Sequence, residues 1–166
     1  PRDAEFFEKV RDISLATAQV AVFGSTRRIG LKAEEDSNLV MLVNAGVKIA
    51  TIVAKASDLQ VANVLNTTLE ENLSMIEDSI RYLKSNGLTV FLDAEHFFDG
   101  FRSNSGYALR VLEVAAEAGA DCLVLCDTNG GTLPDEITAA VKAARKLTSV
   151  PLGIHTHNDA ELAVSN

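Results

Sequence analysis

The chain has 166 residues, a formal net charge of −8 and 47% hydrophobic residues, which is enough for one sizeable core and a single domain over 1–166. An acidic balance with no basic run beyond "STRR" excludes a nucleic-acid surface, and no apolar stretch reaches membrane-spanning length, so neither partner is expected. No signal peptide is read ahead of the first helix, and Cys122 and Cys126 in "CLVLC" sit on one strand face about 13 Å apart, too far to bridge, so reduced thiols and a cytoplasmic location are expected.

In chain order, five short apolar runs alternate with longer amphipathic ones. "AQVAVFGS", "KIATIVAK", "TVFLDAEH", "CLVLCDT" and "LGIHTHND" are rich in Val, Ile, Leu, Phe and Thr and predict strands. Between the second and third, "NTTLEENLSMIEDSIRYLKSNG" places Leu69, Leu73, Ile76, Ile80 and Leu83 at steps of four and three, which predicts a helix burying one face. Thr68 with Glu71 fits a capping box and Gly87 a stop. Gly46 and Gly119 close two other helices, and Pro134 with Asp135 and Glu136 opens "PDEITAAVKAARKL". The chain starts at "PRDAEFF" without a methionine and ends at "AVSN" in what reads as the first turns of a helix, so a segment of a longer protein is expected.

Strand, helix and strand at a regular interval force parallel pairing through right-handed crossovers, as an open doubly wound sheet or a (β/α)8 barrel. A whole barrel takes about 250 residues, so five units occupy roughly 156. The polar strings "FGSTRR", "AKASD", "DAEHFFDG", "CDTNGG" and "HTHND" all fall at the carboxyl ends of strands. Barrel enzymes gather their chemistry from several strand ends on one rim, whereas a doubly wound sheet concentrates it near one switch point. No G-x-G-x-x-G and no Walker lysine is present. The expected fold is therefore α/β, a TIM barrel represented here by about five strand-helix units, without its first strands and last units.

Alternation along a strand puts His155 and His157 on one face, so two imidazoles converge on one point; the alternative is a hydrogen-bonded pair at a strand end. On "VFLDAEH", Val90, Leu92 and Ala94 pack outward on helices, which sends Asp93 and Glu95 inward, where a carboxylate needs a metal, a cation or a proton. Thr128 shares the face of Cys126 and Val124, just before "NGG", a loop able to turn backbone N–H groups toward an anion. Asp127 reads as a turn residue, and Asn158 and Asp159 as the N-cap of a final helix. Arg27 and Arg28 serve either a carboxylate or phosphate, or the structure alone. His155 and His157 with an acid from elsewhere suit a divalent ion with open positions. Such an ion polarises a carbonyl for attack by a carbanion that a base such as Glu95 generates.

The strings "AVFGSTRR", "KAEED", "TLEENLSMI", "DAEHFFDG", "LVLCDTNGGTLP" and "GIHTHNDAELAVSN", in this order, closely resemble the isopropylmalate synthase-like family of the DRE-TIM metallolyase superfamily, above all its citramalate-forming branch. The likeness covers nearly the whole chain. H-x-H-N-D marks only the superfamily, whereas "AEHFFDG" and "CDTNGGTLP" are more specific. The resemblance implies a Claisen condensation of acetyl-CoA with pyruvate to (R)-citramalate and CoA, feeding isoleucine synthesis, with a divalent metal (Zn, Mn, Mg or Co) and a homodimeric full-length protein. It matches His155 and His157 to the metal-ligating histidines, Glu95 to the acid that activates acetyl-CoA, and Thr128 to the residue that holds the keto-acid carboxylate.

The family's first-strand Arg-Asp pair and its later Gly-rich motif have no counterpart in these residues, and Glu161 stands where the family more often has glycine. The competing enzyme readings are an isopropylmalate or homocitrate synthase using another 2-oxo acid, or an acyl-CoA lyase or aldolase of the same superfamily. Amidohydrolases also use H-x-H, but at the start of the barrel. From another class, the chain alone is a scaffold or association domain, and poor condensation is expected of it in isolation.

Overall fold

Each of the five apolar runs forms a strand, and the longer segments between them form helices. The computed structural model describes residues 2–10 and 12–166. Helix α1 (Arg2–Val10) precedes β1 (Ala21–Ser25), α2 (Ser37–Asn44), β2 (Ile49–Lys55), the short α3 (Asp58–Gln60), α4 (Leu69–Ser85), β3 (Thr89–Glu95), α5 (Phe97–Ala118), β4 (Cys122–Asp127), α6 (Pro134–Leu147) and β5 (Leu152–Thr156). A π-helical stretch, Val61–Leu65, runs on from α3. Among the described residues no helix is long and apolar enough to cross a membrane.

The strands form one sheet in the order β1-β2-β3-β4-β5, every neighbouring pair parallel. That order decides between the two architectures. A doubly wound sheet reverses direction at a switch point and carries helices on both faces, whereas a barrel adds each strand beside the last and keeps its helices outside. Here there is no reversal. The face bearing Ala50, Ile52, Ala54, Val90, Leu92, Ala94, Leu123 and Leu125 is buried beneath the helices. The opposite face leaves Phe23 63% exposed and its other strand residues mostly half-buried. The sheet is a sector of a barrel wall, helices outside.

The helix signals hold with two differences. Thr68 Oγ1 accepts the N–H of Glu71 at 3.1 Å, but the Glu71 carboxylate reaches Arg27 at 2.8 Å instead of closing the capping box. Gly87 and Gly119 end their helices in the left-handed region, where a Cβ is strained.

The final helix is a correction: residues after β5 form turns. Glu161 adopts φ 60, which breaks a right-handed run before it propagates. Asn158 Oδ1 accepts the N–H of Ala163, five residues on, rather than the second or third N–H of a helix. The left-handed backbone also explains why glycine suits this position. Replacing Glu161→Gly in the protein that carries this chain should therefore raise stability by about 1 kcal/mol. Urea unfolding checks this, and an unchanged or lower midpoint would show that the turn bears no strain.

Candidate active site and metal centre

The register of parallel strands stacks the inner face in rows. Phe23, Thr51, Phe91 and Cys122 form one row; Val53, Asp93, Val124 and Gly153 form the next toward the carboxyl ends. Above these, Lys55 stands opposite Glu95, and Cys126 opposite His155. The chemistry is thus concentrated at one rim. Gly153 matters to this packing, because a Cβ there would lie 3.1 Å from Val124 Cγ2.

His155 and His157 converge as their spacing requires, with ring centroids 5.0 Å apart and planes inclined by 57°. The backbone N–H of His157 donates to Asp127 O at 3.2 Å. Asp127 itself is buried and accepts from Thr132 N and Oγ1, so it is the turn residue its position suggested. Gly130 closes the same loop at φ 64, and a Cβ on it would meet Asp159 Oδ2 at 2.6 Å and His157 Cβ at 3.0 Å. "NGG" therefore packs against the backbone that carries His157.

Among the described residues, Asp93, Cys126 and His155 bring potential metal-ligand atoms within 4.8 Å of one another. Burial pushes the Asp93 carboxyl above the usual carboxylate range, and His155 offsets part of that rise. Burial, with Asp93 and Glu95 nearby, pushes the Cys126 thiol up to about 12. His157 is not among these clustered ligand atoms, although its ring lies beside that of His155; an imidazole, a carboxylate and a thiol are all donor types for divalent first-row ions, so the residues present fit such an ion.

Glu95 forms an ion pair with Lys55, both side chains largely buried. Lys55 is held by its own backbone: its carbonyl accepts from Asn72 Nδ2 at 2.9 Å, and Asn72 Nδ2 also donates to Tyr107 OH at 2.7 Å. Thr128 Oγ1 accepts the N–H of His96 at 2.8 Å. His96 occupies the left-handed region at φ 58, and its Nδ1 lies 3.0 Å from Asp99 Oδ2, which also accepts from Asn129 Nδ2 at 2.8 Å. The hydroxyl of Thr128 is thereby fixed while its own hydrogen stays available to an outside acceptor.

Sequence reading missed three of these features. Lys55 was visible only as part of a polar strand end; its pairing with Glu95 depends on the β2–β3 register. Cys126 read as a core thiol, although its period-two alternation with Thr128 already placed it on the inner face. His96 carries no sequence mark of its left-handed backbone. The two arginines resolve as structural: Arg27 is buried and pairs with Glu71 and Asp78, and Arg28 donates to the buried Asp36. Burial alone would raise the Asp36 carboxyl, but hydrogen bonds from Arg28, Asn38 and Leu39 hold it below the usual range.

Comparison with known proteins bears on what such a rim does. The family model described as HMGL-like matches residues 2–166. The chain is 49% identical over 166 residues to the (R)-citramalate synthase of Geobacter sulfurreducens, covering 100% of this chain and 31% of that protein. It is 46% identical over 166 residues to the (R)-citramalate synthase of Sulfolobus acidocaldarius, covering 100% of this chain and 32% of that protein. The chain thus spans under a third of these relatives' length. The crystal structure of the Bacillus subtilis HMG-CoA lyase superposes with a TM-score of 0.79 at 17% identity, over 98% of this chain and 53% of that one. At that identity the likeness speaks for the fold.

Proposed function

The chain belongs to the HMGL-like family, and from that premise we propose that the protein carrying it condenses acetyl-CoA with pyruvate to give (R)-citramalate and CoA. The observation that supports this reading most is the unbroken likeness to citramalate synthases along all 166 residues. In this reading the chain is one sector of a (β/α)8 catalytic barrel, and the whole protein is a cytoplasmic homodimer.

Each inner-rim residue then has a task. His155 and His157 would hold a divalent ion, which when bound would supply Lewis-acid polarisation of the keto carbonyl. Glu95 accepts a proton from the acetyl methyl group, with Lys55 fixing the direction of its carboxylate. Thr128 gives its hydroxyl hydrogen to the keto-acid carboxylate while its oxygen is anchored by His96. The new carbon–carbon bond joins the acetyl methyl carbon to the keto carbon, and water cleaves the thioester to release CoA.

Thr128→Val keeps the shape and removes both hydrogen-bonding roles. A hydrogen bond to a charged group is worth about 1.5–3 kcal/mol, so KM for pyruvate should rise about 10- to 100-fold with kcat moved less. Steady-state kinetics with pyruvate varied at saturating acetyl-CoA check this, and an unchanged KM would remove Thr128 from the keto-acid site.

The proposal as a whole is tested by measuring CoA release with acetyl-CoA and a panel of 2-oxo acids, followed by chiral analysis of the product. The expected result is release dependent on pyruvate with (R)-citramalate formed. Preference for a longer 2-oxo acid would make the protein an isopropylmalate or homocitrate synthase, and cleavage of an acyl-CoA without condensation would make it a lyase.

A further inference from the structure

Asp99 takes no part in the chemistry proposed for the rim, yet it joins the two loops on either side of Thr128. It is the third residue of α5, where a side chain ordinarily accepts the N–H of the residue that caps the helix. Here that N–H, from His96, goes to Thr128 Oγ1 instead, at 2.8 Å. The Asp99 carboxylate turns to the His96 ring, whose Nδ1 lies 3.0 Å from Oδ2. The same Oδ2 accepts from Nδ2 of Asn129, the residue after Thr128, at 2.8 Å, and Oδ1 accepts from Arg102 Nη2 at 3.3 Å. One oxygen therefore ties the loop after β3 to the loop after β4, with Thr128 held between them. Both partners of the imidazole–carboxylate contact are largely buried, at 13% and 21% side-chain exposure, which limits competition from water.

We propose that Asp99 is a positioning residue for the keto-acid site: it holds His96 in the left-handed backbone that aims the His96 N–H at Thr128, and so fixes where the Thr128 hydroxyl stands. This rests on the reading that Thr128 binds the carboxylate of a 2-oxo acid. The backbone supports it. His96 sits at φ 58 and ψ 30, a region that strains any residue with a Cβ, and the bond from its ring to Asp99 offsets that strain. Without Asp99, a turn of the peptide between Glu95 and His96 toward negative φ swings the N–H off Thr128. The carbonyl of that peptide accepts from Ala56 N at 2.9 Å, which keeps the expected loss moderate. The Asn129 bond acts from the other side, because it stops the residue next to Thr128 from swinging out into solvent.

The test is a set of variants of the protein that carries this chain, read by steady-state kinetics with pyruvate varied. Asp99→Ala should raise KM for pyruvate about 3- to 10-fold, the worth of one ordinary hydrogen bond, with kcat moved less. Asp99→Asn should stay within about twofold of wild type, because an amide oxygen in the place of Oδ2 still accepts from His96 and Asn129. Combined with Thr128→Val, Asp99→Ala should add almost nothing, since its effect runs through that hydroxyl. An unchanged KM in Asp99→Ala, or effects that multiply in the double variant, would overturn the proposal. Urea unfolding adds a readout free of substrate and confirms that each variant folds; Asp99→Ser, too short to reach either partner, replaces Asp99→Ala if the latter does not. Asp99→Ala should cost less stability in a His96→Gly background, where glycine takes the left-handed backbone unaided. Equal costs in the two backgrounds would overturn the link between Asp99 and His96. If the wild type uses another 2-oxo acid, the same kinetics are read with that acid, and only the choice of pyruvate falls. No CoA release with any 2-oxo acid would overturn both readings.

Discussion

His155→Ala and His157→Ala should each cut the condensation rate by about 10³-fold or more. Charge stabilisation by a bound ion is worth several kcal/mol, and each 1.36 kcal/mol is about a factor of ten in rate. The two rings lie 5.0 Å apart, His155 in β5 and His157 just past its end, so removing either takes away an imidazole that its neighbour two residues along cannot replace. Both histidines are exposed at the strand end, and neither side chain supports the core. Folding should therefore be little affected, which separates this loss from simple unfolding. Metal content measured on purified variants, beside turnover and circular dichroism, checks the account. Folded variants with full metal content and full activity would take both residues out of the site.

Glu95→Gln is the second large effect expected. The amide keeps the size of the carboxylate but cannot accept a proton, and positioned general-base catalysis typically contributes about 10²–10⁴-fold. The ion pair with Lys55 sharpens the comparison. The amide oxygen of the variant can still accept a hydrogen bond from the Lys55 ammonium, so the geometry of the β2–β3 rim should persist while the chemistry fails. Deuterium washout from the acetyl methyl group isolates this step from keto-acid binding. The expected result is slowed washout with KM for pyruvate nearly unchanged. A normal washout rate would assign proton abstraction to another group.

Much of the wall was legible because each of its strands announces itself twice, in β-branched composition and in alternation. "TVFLDAEH" is the clearest: Val90, Leu92 and Ala94 are fully buried outward, and Asp93 and Glu95 point to the inner face, as period two demands. The histidine pair was readable for the same reason. What strand alternation cannot supply is register between strands. Lys55 meets Glu95, and Cys126 meets His155, only because neighbouring parallel strands are offset by particular amounts, which alternation within one strand does not specify. The failed final helix has a different cause: its residues carry acceptable helical composition, but Glu161 takes a left-handed backbone that no side-chain pattern announces. Likewise, Glu71 was correctly placed at a helix start but gives its carboxylate to Arg27, 44 residues away.

The central claim is that the inner rim of this barrel sector holds one divalent ion between its histidines. Anomalous X-ray scattering at the metal edge, from crystals of the protein that carries this chain grown with Co²⁺ or Zn²⁺, tests it most directly. The account predicts one strong peak at about 2.0–2.1 Å from a ring nitrogen of His155 and of His157, the ordinary metal–imidazole distance. A fully occupied ion elsewhere on the protein, with no peak between these two rings, would contradict it.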